Sequence, residues 1–189
     1  MPLLKKIPWN SSKNALNQLL KQGAKGLVFD VREDGGGLVA ALEKIVDPLL
    51  PAGDIATATY QDGTTKVLVH SDANELNLPM MVLVNGNTAS AAELFTASLK
   101  DFGKAEVIGE QTFGKGIMQN TFELPDGGAV TLTVATYQTT KGECYHGVGI
   151  TPDVIMEEDY EKVDFDHPNP EQDAQLKQVM ELLQSKISS

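Results

Sequence analysis

The sequence predicts an α/β domain with a mostly parallel central sheet flanked by helices. Three observations carry this. Short apolar runs alternate with stretches of helical periodicity, as in βαβ units. The runs Gly26-Leu-Val-Phe-Asp-Val31 and Pro79-Met-Met-Val-Leu-Val84 are nearly all apolar, as strands covered on both faces are. Glycine or asparagine–glycine segments, Asp34-Gly-Gly-Gly37 and Asn85-Gly-Asn87, follow those runs where a crossover has to turn.

The elements follow in order. Ser11 and Ser12 are placed to cap a helix over about 13–22, with Leu16, Leu19 and Leu20 inward and Gly23 just past its end. The first strand spans 26–31. A helix over 38–46 comes after the glycine loop, and Pro48 stops it. Strands over 55–60 and 66–70 flank the turn Gln61-Asp-Gly63. The strand over 79–84 leads into a helix over 90–101, and 105–109 is the next strand. A late β-hairpin joins 117–124 to 129–138 through Pro125-Asp-Gly-Gly128. After the linker Pro168-Asn-Pro170, an amphipathic helix over 174–185 turns Leu176, Val179, Met180, Leu182 and Leu183 inward.

Composition narrows the function. At 189 residues the chain fits one domain with a full core, divided as a core over 1–155, where the candidate site residues fall, and an acidic connection plus packing helix over 156–189. The net charge of −11 disfavours nucleic acid and anionic membrane surfaces as partners. No apolar run has the length of a membrane span, and no signal-peptide pattern opens the chain. The acidic stretch 156–167 reads as a solvated surface connection. Cys144 is the single cysteine, so no internal disulfide forms, and a buried thiol is expected. Oligomeric state is left open, a homo-oligomer included.

The chemistry concentrates in two motifs, Asn85-Gly-Asn-Thr-Ala-Ser-Ala-Ala-Glu93 and Thr112-Phe-Gly-Lys-Gly116. Ser90 stands at a helix start, where free N–H groups and positive potential favour developing negative charge. It is a candidate nucleophile, with the Ala91 N–H as an oxyanion donor. None of His70, His146 and His167 lies in a triad motif, so Lys115 is the candidate base. A lysine accepts a proton only when neutral, which burial and the lack of a carboxylate partner favour. Gln119 could orient the amine without a carboxylate's charge. An N–H of Gly36 or Gly37 beside that of Ala91 would complete a two-donor oxyanion hole. Ser98, mid-helix, is a decoy, and Glu93 simply supports the first helical turn.

These residues resemble the C-terminal processing peptidases, also called tail-specific proteases. Asp30-Val-Arg-Glu-Asp-Gly-Gly-Gly-Leu38, Val82-Leu-Val-Asn-Gly-Asn-Thr-Ala-Ser-Ala-Ala-Glu93, Val107-Ile-Gly-Glu-Gln-Thr-Phe-Gly-Lys-Gly-Ile-Met-Gln119 and Gly149-Ile-Thr-Pro-Asp-Val154 match that family's segments in order, over about 21–154. The resemblance implies a fold like that of Clp proteases and crotonases. It implies a serine endopeptidase with a Ser90–Lys115 dyad oriented by Gln119, and oxyanion donors from Gly36, Gly37 and Ala91. It also implies protein or peptide substrates cleaved near their C-termini, no metal, no cofactor and an extracytoplasmic location. Glu33, Asp34 and Gly35 depart from the family pattern. Family members usually carry a PDZ domain before the core, and the 22 residues before Gly23 are too few for one. The family's lysine loop can move between states, so whether Ser90 and Lys115 meet without a PDZ domain is left open. Two rivals remain. Gly109-Glu-Gln-Thr-Phe-Gly-Lys115 fits a phosphate-binding loop, although Gly116 replaces the magnesium-binding hydroxyl and a strand follows. The other rival is a non-catalytic peptide- or ligand-binding module of the same fold.

Overall fold

The computed structural model describes residues 9–72 and 75–188, and only the backbone of residues 9–13. The opening residues, in which no export signal is read, lie outside the described residues. In chain order the elements are α1 (Trp9–Lys21), β1 (Leu27–Asp30), α2 (Val39–Val46), β2 (Gly53–Tyr60), β3 (Thr65–Ser71), β4 (Met80–Val84), α3 (Ala91–Asp101), β5 (Ala105–Gly109), β6 (Ile117–Glu123), β7 (Ala129–Thr139), β8 (Val154–Ile155) and α4 (Ala174–Ser188). Helix α1 begins at Trp9, earlier than expected, so Ser11 and Ser12 fall inside it rather than before it. Pro48 does end α2, in a 3-10 turn over Asp47–Leu49.

The strands form two four-stranded sheets. β1-β4-β5-β8 is wholly parallel and β3-β2-β7-β6 wholly antiparallel. The two hairpins are not separate appendages, because β2 pairs with β7 and joins them into one sheet. Helix α3 lies between the sheets, touching β5 on one side and β2 and β7 on the other.

Strand β4 shows why the parallel sheet is apolar throughout. Met80, Val82 and Val84 enter the main core with Phe29, Val107, Leu94 and Leu99. Met81 and Leu83 point the opposite way, into a second cluster with Val28, Ile108 and α4 residues Leu176, Val179 and Leu183. Each such fully buried leucine contributes about 1.5–3 kcal/mol.

A buried ion cluster also fastens the C-terminal segment. Arg32 donates to both Asp30 oxygens (2.9 and 2.6 Å) and both Asp173 oxygens (3.1 and 2.6 Å). It also reaches Gln175 Oε1 at 3.2 Å, and its guanidinium lies over the Phe165 ring. These bonds hold the guanidinium further into its charged range, against the pull of burial. Arg32→Leu leaves two buried carboxylates without their cation. It is expected to lower stability by about 3 kcal/mol in urea unfolding, and Arg32→Lys to recover little, since lysine lacks the planar fork. The rest of the acidic connection is mostly exposed, as expected.

Candidate active site

The topology brings three loops to one edge. β1, β4 and β5 are adjacent and parallel, so their carboxyl ends lie side by side. β1 leads into the glycine loop, β4 into the Ser90 turn and β5 into the Lys115 loop. The order β1-β4-β5 puts Ser90 between the other two. This is where ligands bind in parallel α/β sheets.

Ser90 is the N-cap of α3, with φ 58° and ψ −122°. Few residues with a Cβ adopt this backbone, and it stores about 1–3 kcal/mol. It makes a sharp strand-to-helix elbow, reached here with Thr88 and Ala92 where glycines are usual in such turns. The strain gives a measurable consequence. Ser90→Gly is expected to raise stability by about 1 kcal/mol in thermal unfolding, since glycine adopts positive φ freely.

Gly36 packs directly on this elbow. With φ 88°, a Cβ on it would stand 2.6 Å from Ala91 N, 2.6 Å from Ala89 O and 2.9 Å from Ser90 Cβ. Only glycine lets the loop approach so closely. Gly36 N–H donates to Asp34 Oδ1 at 2.9 Å. The N–H groups of Gly37 and Ala91 have no acceptor among the described residues. The atypical Glu33-Asp34 pair anchors the loop. Glu33, at φ 57°, accepts from Asn85 Nδ2 (2.7 Å) and Asn87 Nδ2 (2.9 Å), and Asp34 O accepts from Ala89 N–H (2.9 Å).

Lys115 sits in a tightly packed loop. A Cβ on Gly114 would meet Gly149 N at 2.9 Å, and one on Gly116 would meet His146 N at 3.1 Å. The lysine is half-buried, less than expected. Its side chain makes no ion pair or hydrogen bond among the described residues, so no carboxylate holds it, and no hydrogen bond joins it to Ser90 Oγ. Gln119 is exposed on β6, and its side chain likewise has no hydrogen bond among the described residues. A bulge between Met118 and Gln119 breaks the β6–β7 register there. Thus Ser90, Ala91 and Gly36 meet, while Lys115 and Gln119 are not bonded to them through their side chains.

Glu93 and Tyr137 join the two motifs. Glu93 is fully buried, yet its carboxylate accepts four bonds. The donors are Ser90 N–H (2.9 Å), Thr112 Oγ1 (2.6 Å), Gly114 N–H (2.7 Å) and Lys115 N–H (2.7 Å). Its role therefore goes beyond supporting the first helical turn. The serine followed three residues later by glutamate was the one local signal for this, as a capping box. The carboxylate also occupies the amides that a phosphate-binding loop would offer, and strand β6 follows, so that reading fails. Tyr137 donates its hydroxyl to Lys115 C=O at 2.8 Å and stands 3.4 Å from Ser90 Oγ. Nothing in its alternating strand pattern marked it. Ser98 is buried mid-helix and donates to Leu94 C=O. Cys144 is exposed, contrary to expectation, because it lies on the loop after β7 rather than in a strand.

Among the described residues no three metal-ligating side chains cluster, and no helix is long and apolar enough to cross a membrane.

Comparison with known proteins gives the family and the fold. A family model described as peptidase family S41 matches residues 5–156. The carboxyl-terminal-processing protease of Synechocystis sp. is 35% identical over 175 residues, covering 93% of this chain and 40% of that protein. The carboxy-terminal processing protease CtpA of Bacillus subtilis is 38% identical over 154 residues, covering 80% of this chain and 33% of its own. A solved photosystem II D1 C-terminal processing protease superposes with a TM-score of 0.74 at 36% identity, covering 82% of this chain and 40% of that one. This chain thus spans between 33% and 40% of the length of these relatives. Matched by that family model over most of its length and by these relatives in sequence and fold, the chain belongs to peptidase family S41, that of the carboxyl-terminal-processing proteases.

Proposed function

We propose that the chain is the core of a serine endopeptidase that cleaves proteins near their C-termini, with Ser90 as nucleophile and Lys115 as general base. The observation that carries this is the Ser90 elbow, strained at φ 58° and packed against Gly36 beside an unused Ala91 N–H. Neutral Lys115 takes the Ser90 proton as Oγ attacks the peptide carbonyl. The carbonyl oxygen becomes an oxyanion, held by the N–H groups of Ala91 and Gly37. Gly37 suits this role better than Gly36, whose N–H is engaged by Asp34. Lys115 returns its proton to the leaving amine, then activates the water that releases the acyl group. Its side chain swings toward Ser90 when substrate binds, and Gln119 then supports the amine; such bonds often tighten only in the complex. Carboxyl-terminal-processing relatives suggest protein substrates and a location outside the cytoplasm.

The second reading, a non-catalytic binding module, has one observation in its favour, the missing hydrogen bond between Ser90 and Lys115. A serine-directed sulfonyl fluoride separates the two. The peptidase takes up one label, mapped by mass spectrometry to Ser90, at a rate that rises with pH. Labelling spread over surface residues, or at Ser90 with a rate flat from about pH 5 to 10, would favour the binding module.

A further inference from the structure

We infer that Tyr137 is a positioning residue for the Ser–Lys pair: from one rigid strand its hydroxyl fixes the backbone of Lys115 and faces the hydroxyl of Ser90. This rests on the reading of Ser90 and Lys115 as nucleophile and base.

Tyr137 lies on β7 and is 2% exposed. It grips the lysine loop twice. Its own N–H donates to Gly116 C=O at 3.0 Å, and its hydroxyl donates to Lys115 C=O at 2.8 Å. Glu93 holds the Lys115 N–H from the other side. Both polar groups of the Lys115 backbone are therefore bonded by buried side chains, one from the helix that Ser90 caps and one from the sheet beneath it. Only the lysine side chain is left to move.

The same phenol oxygen stands 3.4 Å from Ser90 Oγ. A phenol has one proton, and the nearer Lys115 carbonyl takes it. The remaining lone pairs face Ser90, so the serine hydroxyl can donate to Tyr137 at rest and transfer to the lysine when the amine arrives. Burial, with the Glu93 charge nearby, pushes the Tyr137 phenol up in pKa, so it stays a neutral donor and does not compete as a base.

Tyr145 is the natural control. Its ring meets that of Tyr137 edge to face at 6.1 Å, and its buried hydroxyl makes no direct hydrogen bond among the described residues, meeting the Tyr137 phenol only at longer range. Removing that hydroxyl perturbs the same core without touching Ser90 or Lys115.

The experiment compares the parent, Tyr137→Phe, Tyr145→Phe and Ser90→Ala on β-casein. Tyr137→Phe should lower kcat by roughly 10–100-fold, the effect of misplacing a catalytic group. KM should stay within about twofold, and the rising limb of the pH profile should shift. Tyr145→Phe should keep the parent's kcat and pH profile. Three results would overturn the inference. Tyr137→Phe as active as the parent, with Ser90→Ala inactive, removes the role of Tyr137 and leaves the Ser–Lys pair standing. Equal losses in both tyrosine variants assign the effect to packing. Turnover unchanged in Ser90→Ala removes the Ser–Lys reading, and the role of Tyr137 with it.

Discussion

On the proposed mechanism, Ser90→Ala and Lys115→Ala should each lower kcat/KM on an unfolded protein by roughly 10⁴-fold or more, with the double variant no slower than either alone. The proposed pair would act as a unit: an alkoxide that cannot form makes the base idle, and a hydroxyl without its base is a poor nucleophile. Melting should barely change. Alanine keeps the Cβ and hence the strained backbone of Ser90, and the Lys115 side chain makes no hydrogen bond or ion pair among the described residues. Lys115→Arg is the sharper variant. It keeps the positive charge, but a guanidinium does not yield its proton in a protein, so it should be as inactive as Lys115→Ala. Activity restored by arginine, read in steady-state cleavage of β-casein, would show that the lysine serves by its charge and not as a base.

What the sequence revealed follows from the range of each interaction. Strand β5 could be placed residue for residue, because turn residues bound a short apolar run and Gly109 ends it. Helix α3 could be placed because Ser90 caps it and alanines fill it. The glycine loop and the Lys115 loop were visible because close backbone approach demands glycine, as at Gly36, Gly114 and Gly116, whereas the Ser90 turn was visible from its strand, Asn-Gly-Asn and helix order. Pairing between β2 and β7 was not, since it depends on contacts about eighty residues apart, as in Thr57 with Gln138. β8 has two residues, too few for any pattern. Tyr137 looks like any other residue of a half-buried strand. The exposure of Cys144 and the half-burial of Lys115 likewise depend on how the loops after β7 and β5 pack together.

Glu93→Ala combines the largest loss of stability with loss of activity. The carboxylate is fully buried and is met by four donors, three of them backbone N–H groups that no rotamer change can turn away. Removing it leaves those donors unpaired in the interior. At about 1–3 kcal/mol for each buried group left unsatisfied, partly relieved where water enters, the expected loss is at least ~4 kcal/mol in urea unfolding. Glu93→Gln tests the charge separately from the shape. Glutamine fills the same space but turns an NH₂ toward at least one donor, so it should lose about 2 kcal/mol and remain folded. Folded Glu93→Gln should nonetheless cleave poorly, because Glu93 Oε2 is the atom bonded to both the Ser90 and Lys115 amides. Amide exchange at Gly114 and Lys115 should rise in that variant while the core strands stay protected. If exchange there is unchanged and cleavage is normal, Glu93 is a helix cap and nothing more. If exchange rises and cleavage falls together, the serine turn and the lysine loop are held in register by this one carboxylate, through links that bypass the lysine side chain and leave it free to reach Ser90.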